Sequence, residues 1–419
     1  MGSTSATELA QEILDDCLRD GTWPVRTLDR LIDRALDEED ERLASAATRA
    51  LFGIVIERLG DLFEPRLCDV YAQLFSHVIS RAIPGYRAED LLLRYQRIRQ
   101  VRRFPGGEVQ RVFVLSRVTL GADVAVTSIV LAAAKQRFPD AEICLVGPEK
   151  NAELFAADER IVPLPVSYGR NGLLRSRLNA ALELHALVDE PQSIVIDPDS
   201  RLTQLGLLPV GDDSRYFFFE SRAFGGELTT PLPQLTAEWV SEVFDIEDAR
   251  PYLAPERRDK LADITVSLGV GENANKRIDD EFEYQVLAAL LRFNRPVLMD
   301  RGAGGEESHR VNALVKRLGT PSLLLLHDNS YASFASHIMQ SNLYVGYDSA
   351  GQHVAAAAGV PLVSVFAGHA CDRMFSRWCP TGPATRVVVV DQDTRRTAFD
   401  RTLKAIAEAV AAPRAATTG

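Results

Sequence analysis

At 419 residues, the chain is too long for one ordinary core and fits two or three domains. Its 46% hydrophobic and 25% charged residues suit a globular protein, and 47 basic against 58 acidic side chains leave a net charge of −11, which argues against bulk electrostatic capture of nucleic acid or an anionic membrane. No run approaches the roughly 18 apolar residues of a membrane span, and residues 1–16 carry neither the basic start nor the apolar core of a secretion signal. Ala6 stands where N-myristoylation needs a hydroxyl residue, so the expected location is the cytoplasm. The five cysteines (Cys17, Cys68, Cys144, Cys371 and Cys379) are scattered and odd in number, poor material for a disulfide framework. Cys371, Cys379 and nearby His369 would make only a sparse metal site.

Residues 4–103 read as helical throughout, with leucines and isoleucines recurring three and four apart between charges. Breaks at Gly21–Pro24, Gly60–Pro65 and Pro84–Gly85 divide the stretch into four or five helices. Its end concentrates Arg94, Arg97, Arg99, Arg102 and Arg103. Such a run is either a solvated helix end or a patch for a phosphate-bearing acceptor or an anionic membrane surface.

After the linker at 104–108 the pattern changes to short β-rich apolar runs: 112–118, 142–147, 161–165, 193–197 and 215–220, with helical segments at 123–138 and 173–188. The alternation restarts after residue 258, with strands at 264–269, 295–300, 322–327, 343–348, 361–366 and 386–390. Helical segments fall at 279–293, 306–318, 331–340 and 350–359, a last helix covers 394–411, and the terminal PRAATTG is expected to fray. Buried strands alternating with helices mean βαβ units and parallel sheets. The expected fold class is therefore α/β, with two Rossmann-like domains (106–250 and 251–419) facing a cleft, preceded by an all-helical extension (1–105).

Ligands of open parallel sheets bind at the carboxyl ends of the strands. Five loops there carry candidate chemistry. Asp123, after the first strand, is either a helix N-cap or a base pointing across the cleft. Asp197-Pro198-Asp199 with Arg201 is turn chemistry, acceptor positioning or a divalent-metal pair. Gly269 and Gly271 free backbone amides beside Lys276 and Arg277, which suits a diphosphate as well as a plain turn. Glu306, after Gly304-Gly305, is either a first-turn glutamate or an acceptor for ribose hydroxyls. Asp348 and Ser349 open an alanine-rich helix carrying His353 and leave its first amides free for a phosphate.

Taken in order, these loops resemble glycosyltransferase family nine, the ADP-heptose:lipopolysaccharide heptosyltransferase family, with its two-domain GT-B fold, over about 111–390. The most specific part is Asp348-Ser349 with His353 five residues on, the Ala-rich helix, Gly359-Val360-Pro361 and the strand ending Val365-Phe366. The resemblance implies a donor site of Gly269, Gly271, Lys276, Glu306, Asp348, Ser349 and His353. It makes Asp123 the catalytic base, Lys276 and His353 its partners in catalysis, and Asp197, Asp199 and Arg201 acceptor-side candidates. The chain departs from the family where Gly-Asp-Val becomes Gly121-Ala122-Asp123-Val124, where the glycine after Asp-Ser moves to Gly351, where no tryptophan follows Lys276, and in the helical extension.

The expected activity is inverting transfer of a sugar, heptose from ADP-heptose, to an acceptor hydroxyl, with no cofactor and no metal. The acceptor is a glycan such as a lipopolysaccharide, a lipid-linked sugar or a protein; no nucleic acid is expected. Peripheral membrane contact and oligomerisation through the extension stay open. Two alternatives share the fold: a catalytically silent binding or assembly protein, and a nucleotide-sugar epimerase or phosphorylase.

Overall fold

The computed structural model describes residues 4–169, 172–271, 273–302, 304–390 and 394–411; the expected fraying of the terminal PRAATTG lies outside them. The extension comprises α1 (Ala6–Asp20), α2 (Val25–Ala35), α3 (Glu41–Ala50), a π-helical stretch Leu51–Ile56, α4 (Glu57–Asp61), α5 (Pro65–Ala82) and α6 (Ala88–Ile98). Three breaks fall where the turn residues predict, and a fourth, at 36–40 between α2 and α3, falls inside a stretch read as one continuous helix. Gly21 adopts the left-handed conformation that closes α1, and Pro65 opens α5 at a position where its missing N–H costs nothing.

The first α/β unit runs β1 (Arg111–Leu115), α7 (Leu120–Ala122), a π-helical turn Asp123–Thr127, α8 (Ser128–Arg137), β2 (Glu142–Gly147), α9 (Glu149–Ala152), β3 (Ile161–Pro165), α10 (Leu174–Val188), β4 (Ser193–Asp197), β5 (Tyr216–Phe218) and α11 (Leu232–Phe244). Its strands form a parallel sheet in the order β3-β2-β1-β4-β5. The second unit runs β6 (Ile264–Ser267), α12 (Asp280–Leu291), β7 (Val297–Asp300), α13 (Gly305–Arg317), β8 (Leu324–His327), α14 (Tyr331–Gln340), β9 (Leu343–Tyr347), α15 (Ala350–Ala357), β10 (Leu362–Ala367), α16 (Asp372–Trp378), β11 (Thr385–Val390) and α17 (Arg395–Ala411). Its six parallel strands lie in the order β11-β10-β9-β6-β7-β8, a doubly wound sheet whose strand order reverses between β9 and β6. Two parallel sheets behind a helical region are the GT-B architecture expected above.

Successive residues of a strand face opposite ways, and β1 shows what each face meets. Phe113 and Leu115 join a core built largely from the extension (Leu9, Ile13, Leu28, Phe52, Phe75, Ile79) and α10. Val112 and Val114 join a second core with α8 and α11 that continues into α14 and α15 of the other unit. The extension is thus a wall of the first unit, and one apolar core crosses between the units. A third core belongs to the second sheet with α12 and α17.

Three of the five arginines are neither a solvated end nor an open patch, whereas Arg97 is exposed. Arg94 is buried and donates to Asp213 (2.6 Å) and the Gly206 carbonyl (2.7 Å). Arg99 binds both oxygens of Glu220 (2.8 and 2.9 Å), which also accepts from the Tyr95 hydroxyl at 2.5 Å. Arg102 donates to the carbonyls of Asp213 (2.5 Å) and Tyr216 (2.9 Å). Bidentate, charge-assisted contacts of this kind bind α6 to the β5 edge, and Arg103 is left exposed.

Candidate functional site

The residues expected to bind the donor converge where the second sheet reverses order, at the ends of β6 and β9. Lys276 Nζ lies 2.6 Å from Asp348 Oδ2. Asp348 Oδ1 accepts from Gln352 (2.6 Å), whose own oxygen accepts from Ser364 Oγ at 2.5 Å. This chain ties loop 274–276 to the first turn of α15. The N-cap residue Ser349 makes no side-chain capping bond, so the positive end of α15 and the Lys276 ammonium face one place, which favours an anion there.

Gly351, displaced from the family position, is explained by Tyr344. A Cβ at Gly351 would stand 2.2 Å from the Tyr344 hydroxyl. The loop to Lys276 is held as tightly, because a Cβ at Gly368, whose φ is +67°, would stand 2.1 Å from the Asn275 carbonyl.

His353 is enclosed, and burial pulls its pKa down to about 4 against the opposing pull of Asp348, with the Lys276 charge adding to the fall. It is neutral at pH 7. Its ring meets the first unit: a Cβ on Gly121 would lie 3.2 Å from His353 Cδ2 and from the Ala350 Cα. The units therefore touch at Gly121, where any side chain would crowd His353 and Ala350. A crevice of about 790 Å³ runs beside this contact, lined by His353, Ala356, Ala125, Lys135 and Tyr252.

Two glutamates stand together, and the structure uses the second in the loop. Glu306 is exposed. Glu307 Oε1 accepts the amides of Val270 (2.9 Å) and Gly271 (3.2 Å). The Gly269–Gly271 loop was expected to offer its amides to a diphosphate; as placed, those amides are engaged by Glu307. Gly269 and Gly302 leave room for that carboxylate, since a Cβ at either would stand 2.7 or 2.5 Å from it. The duplicated acid at 306–307 was the available signal for Glu307.

Asp123 departs from both of its sequence expectations. It neither caps a helix nor points across the cleft. It is fully buried and accepts from Ser116 Oγ (2.5 Å), the Arg117 amide (2.7 Å), Thr127 Oγ1 (2.5 Å) and Asn151 Nδ2 (2.5 Å). Burial raises its pKa against those four bonds. Asp123 opens the π-helical turn Asp123–Thr127, the local form that absorbs one extra residue in a helix. Ala122, the residue added before Asp123 relative to the expected Gly-Asp-Val, adjoins this turn, and the carboxylate ends on the inner side.

The acceptor-side candidates are likewise internal. Asp197 is fully buried, accepts from the Ser200 amide (2.6 Å), Thr203 (2.5 Å) and Tyr216 (2.5 Å), and is pushed up to about 6 by burial. Asp199 pairs with Arg222 at 2.5 Å and, more distantly, with Arg117 at 3.7 Å. Arg201 turns to Asp61 of α4 at 3.6 Å. Among the described residues no group of three or more His, Cys, Asp or Glu is placed to hold a metal ion. Cys371, weighed as a ligand, instead accepts the Met374 amide at the start of α16. No described helix is long and apolar enough to cross a membrane.

Residues 261–404 match the family model of glycosyltransferase family 9 (heptosyltransferase). No curated protein matches the chain significantly by sequence. Among solved structures, a glycosyl transferase family 9 protein from Veillonella parvula DSM 2008 superposes with a TM-score of 0.53 at 18% identity, covering 74% of this chain and 99% of that one. The E. coli heptosyltransferase WaaC, solved with ADP-2-deoxy-2-fluoro heptose, gives 0.54 at 16% identity over 71% of this chain and 99% of its own. E. coli ADP-heptose lps heptosyltransferase II gives 0.50 at 14% identity, with 71% and 99% covered. These likenesses carry the fold, and the family match falls on the sheet that holds Lys276, Asp348 and His353. Residues 261–404 thus match the glycosyltransferase family 9 model, and the frame around them has the two-sheet GT-B fold of these solved structures.

Proposed function

We propose that this chain binds a nucleotide-diphosphate sugar, ADP-heptose or a close analogue, in its second unit and transfers the sugar to an acceptor hydroxyl. The observation that carries the reading is the Lys276–Asp348–Gln352 chain, which sets an ammonium beside the open positive end of α15. A diphosphate arriving there exchanges the Asp348 carboxylate for its own oxygens at Lys276. As the acceptor oxygen attacks the anomeric carbon and the glycosidic C–O bond breaks, charge grows on the departing diphosphate. Lysine and helix end then stabilise it electrostatically. Neutral His353 supplies a hydrogen-bonding group beside them and carries no charge of its own. In this reading no metal is required, because Lys276 and α15 do that work.

The base step separates two readings. Asp123, the base by family likeness, is enclosed by four donors, and as placed it meets no acceptor hydroxyl. That enclosure favours a second reading, in which the chain binds nucleotide sugar without turning it over.

Calorimetry with ADP, UDP, GDP, CDP and ADP-heptose, with and without EDTA, tests both. ADP-type ligands should bind regardless of EDTA, and Lys276→Ala should weaken them by roughly tenfold or more, as befits loss of a charge-assisted bond. ADP release from ADP-heptose in the presence of a sugar acceptor marks a transferase; binding without release marks the silent reading. Failure of every nucleotide to bind refutes both.

A further inference from the structure

We propose that the corner between α4 and α5 is a latch that fixes the cleft through α16, with Phe63 as a positioning residue acting on His353 by way of Trp378. Phe63 is a bulky residue held at φ 57°, in the left-handed region that L-residues avoid. Such strain persists only where the surroundings impose it and concentrates at functional positions. Its ring is 1% exposed, and among the described residues it is the one buried side chain of the extension helices and their loops that enters the core shared by the two units.

What it meets there is Trp378, edge to face, with ring centres 6.0 Å apart. Trp378 in turn meets the His353 ring at 5.7 Å, and the Arg117 guanidinium of the β1 loop lies 5.9 Å from its centre. One indole therefore touches the extension, the first unit and the donor-side histidine. Aromatic pairs of this geometry are directional, so the position of Phe63 is transmitted to the imidazole.

The backbone repeats the connection. Arg373 donates to the carbonyls of Phe63 and Gly226, and Cys371 Sγ to that of Leu62 at 3.6 Å. Arg377, with no exposed surface, donates to the Phe224 carbonyl at 3.0 Å. The single short helix α16 of the second unit is thus pinned to the extension and to the loop after β5. Opening the cleft at this edge requires all of these bonds to break together, so the extension sets the separation of the two units and the placement of His353.

The latch rests on geometry alone; its consequence for nucleotide rests on the donor-site reading above. Hydrogen exchange of the ligand-free full chain, followed by mass spectrometry, tests the first, and calorimetry with ADP tests the second. Phe63→Ala and Arg373→Gln should each speed exchange at least tenfold in 350–357 and 372–378 while leaving 280–291 unchanged, and should weaken ADP at least tenfold. Exchange within twofold of the parent in both segments overturns the latch. Acceleration spread equally over 280–291 overturns it too, since that is general destabilisation. If Phe63→Ala does not fold, Arg373→Gln, which keeps the ring, carries the test. A parent chain that binds no ADP, with variants that show the localised acceleration, refutes the donor reading and leaves the latch standing.

Discussion

Replacing Asp123 distinguishes an internal tie from a catalytic base by stability rather than by activity. Asp123→Ala leaves four donors without their acceptor. The hydroxyls of Ser116 and Thr127 can turn to other partners, Thr127 to the carbonyl four residues back, as Ser128 already does to Val124. The Arg117 amide and the Asn151 side-chain amide are fixed. Each buried donor left unpaired costs about 1–3 kcal/mol, so the two cost about 4 kcal/mol together. Relief from burying a carboxylate, the effect that raises the Asp123 pKa, offsets part of this and leaves a net loss of about 2–3 kcal/mol. Asp123→Asn keeps one oxygen, and the new amide can meet Asn151 Oδ1, which has no partner now; that change costs about 1 kcal/mol. Urea unfolding followed by tryptophan emission reads both, since Trp239 sits in the core beside α8. A base standing in an open cleft would give the opposite result: alanine within about 0.5 kcal/mol of the parent, as at other exposed positions, and both variants dead in transfer. Asp123→Ala at parental stability would refute the enclosure argued here.

Other expectations follow from the same site. His353 has a folded pKa of about 4 against an ordinary 6.5, so between those values the unfolded chain binds a proton that the folded chain refuses. Stability is then lost as pH falls from 6.5 to 4, by up to about 3 kcal/mol; urea midpoints of His353→Gln should fall less over that range, and parallel curves would refute the assignment. Gly368→Ala forces a Cβ into the Asn275 carbonyl and shifts the loop that carries Lys276. ADP affinity measured by calorimetry should drop roughly tenfold or more, the loss expected when a charged group no longer reaches its partner, with little change in the unfolding of the first unit; unchanged affinity would show that the loop does not position the lysine.

The strands were legible because a parallel strand buried on both faces is a continuous apolar run; each of the eleven sequence runs overlaps a strand, although β3, β8 and β11 are partly exposed. The site was legible as far as it depends on strand ends, so Lys276, Asp348 and His353 fall together. What the sequence hid depends on partners distant along the chain. Arg94 and Arg99 look like a solvated charge run until Asp213 and Glu220, more than a hundred residues away, fold against them. The helices at 232–244 and 372–378 were missed for related reasons. The first begins at a Leu-Pro pair that reads as a turn, and the second is a seven-residue segment whose Arg373 and Arg377 find their partners in other elements. Glu306 and Glu307 differ by one residue, about 100° around a helix, so the choice between them depends on where α13 begins. Asp123 failed by the same angular argument, since a π turn changes which side a residue faces.

The extension occupies a place that a doubly wound unit cannot leave empty. A parallel sheet must be covered on both faces, and the face carrying Phe113, Leu115, Val146 and Phe218 is covered by the extension together with α10. Having taken that place, its helices also reach the strand-end loops. The Tyr71 hydroxyl donates to the carbonyl of Gln204, a residue at φ 52°, at 3.0 Å, Asp61 faces Arg201, and Glu220 is held by Tyr95 and Arg99. In a GT-B frame these β4 and β5 loops belong to the unit opposite the donor sheet. Their shape here is set by residues 60–99, a segment outside the family match at 261–404. On the proposed function, two chains sharing the second unit but differing in this segment would hold donor phosphates alike and present different walls to whatever accepts the sugar.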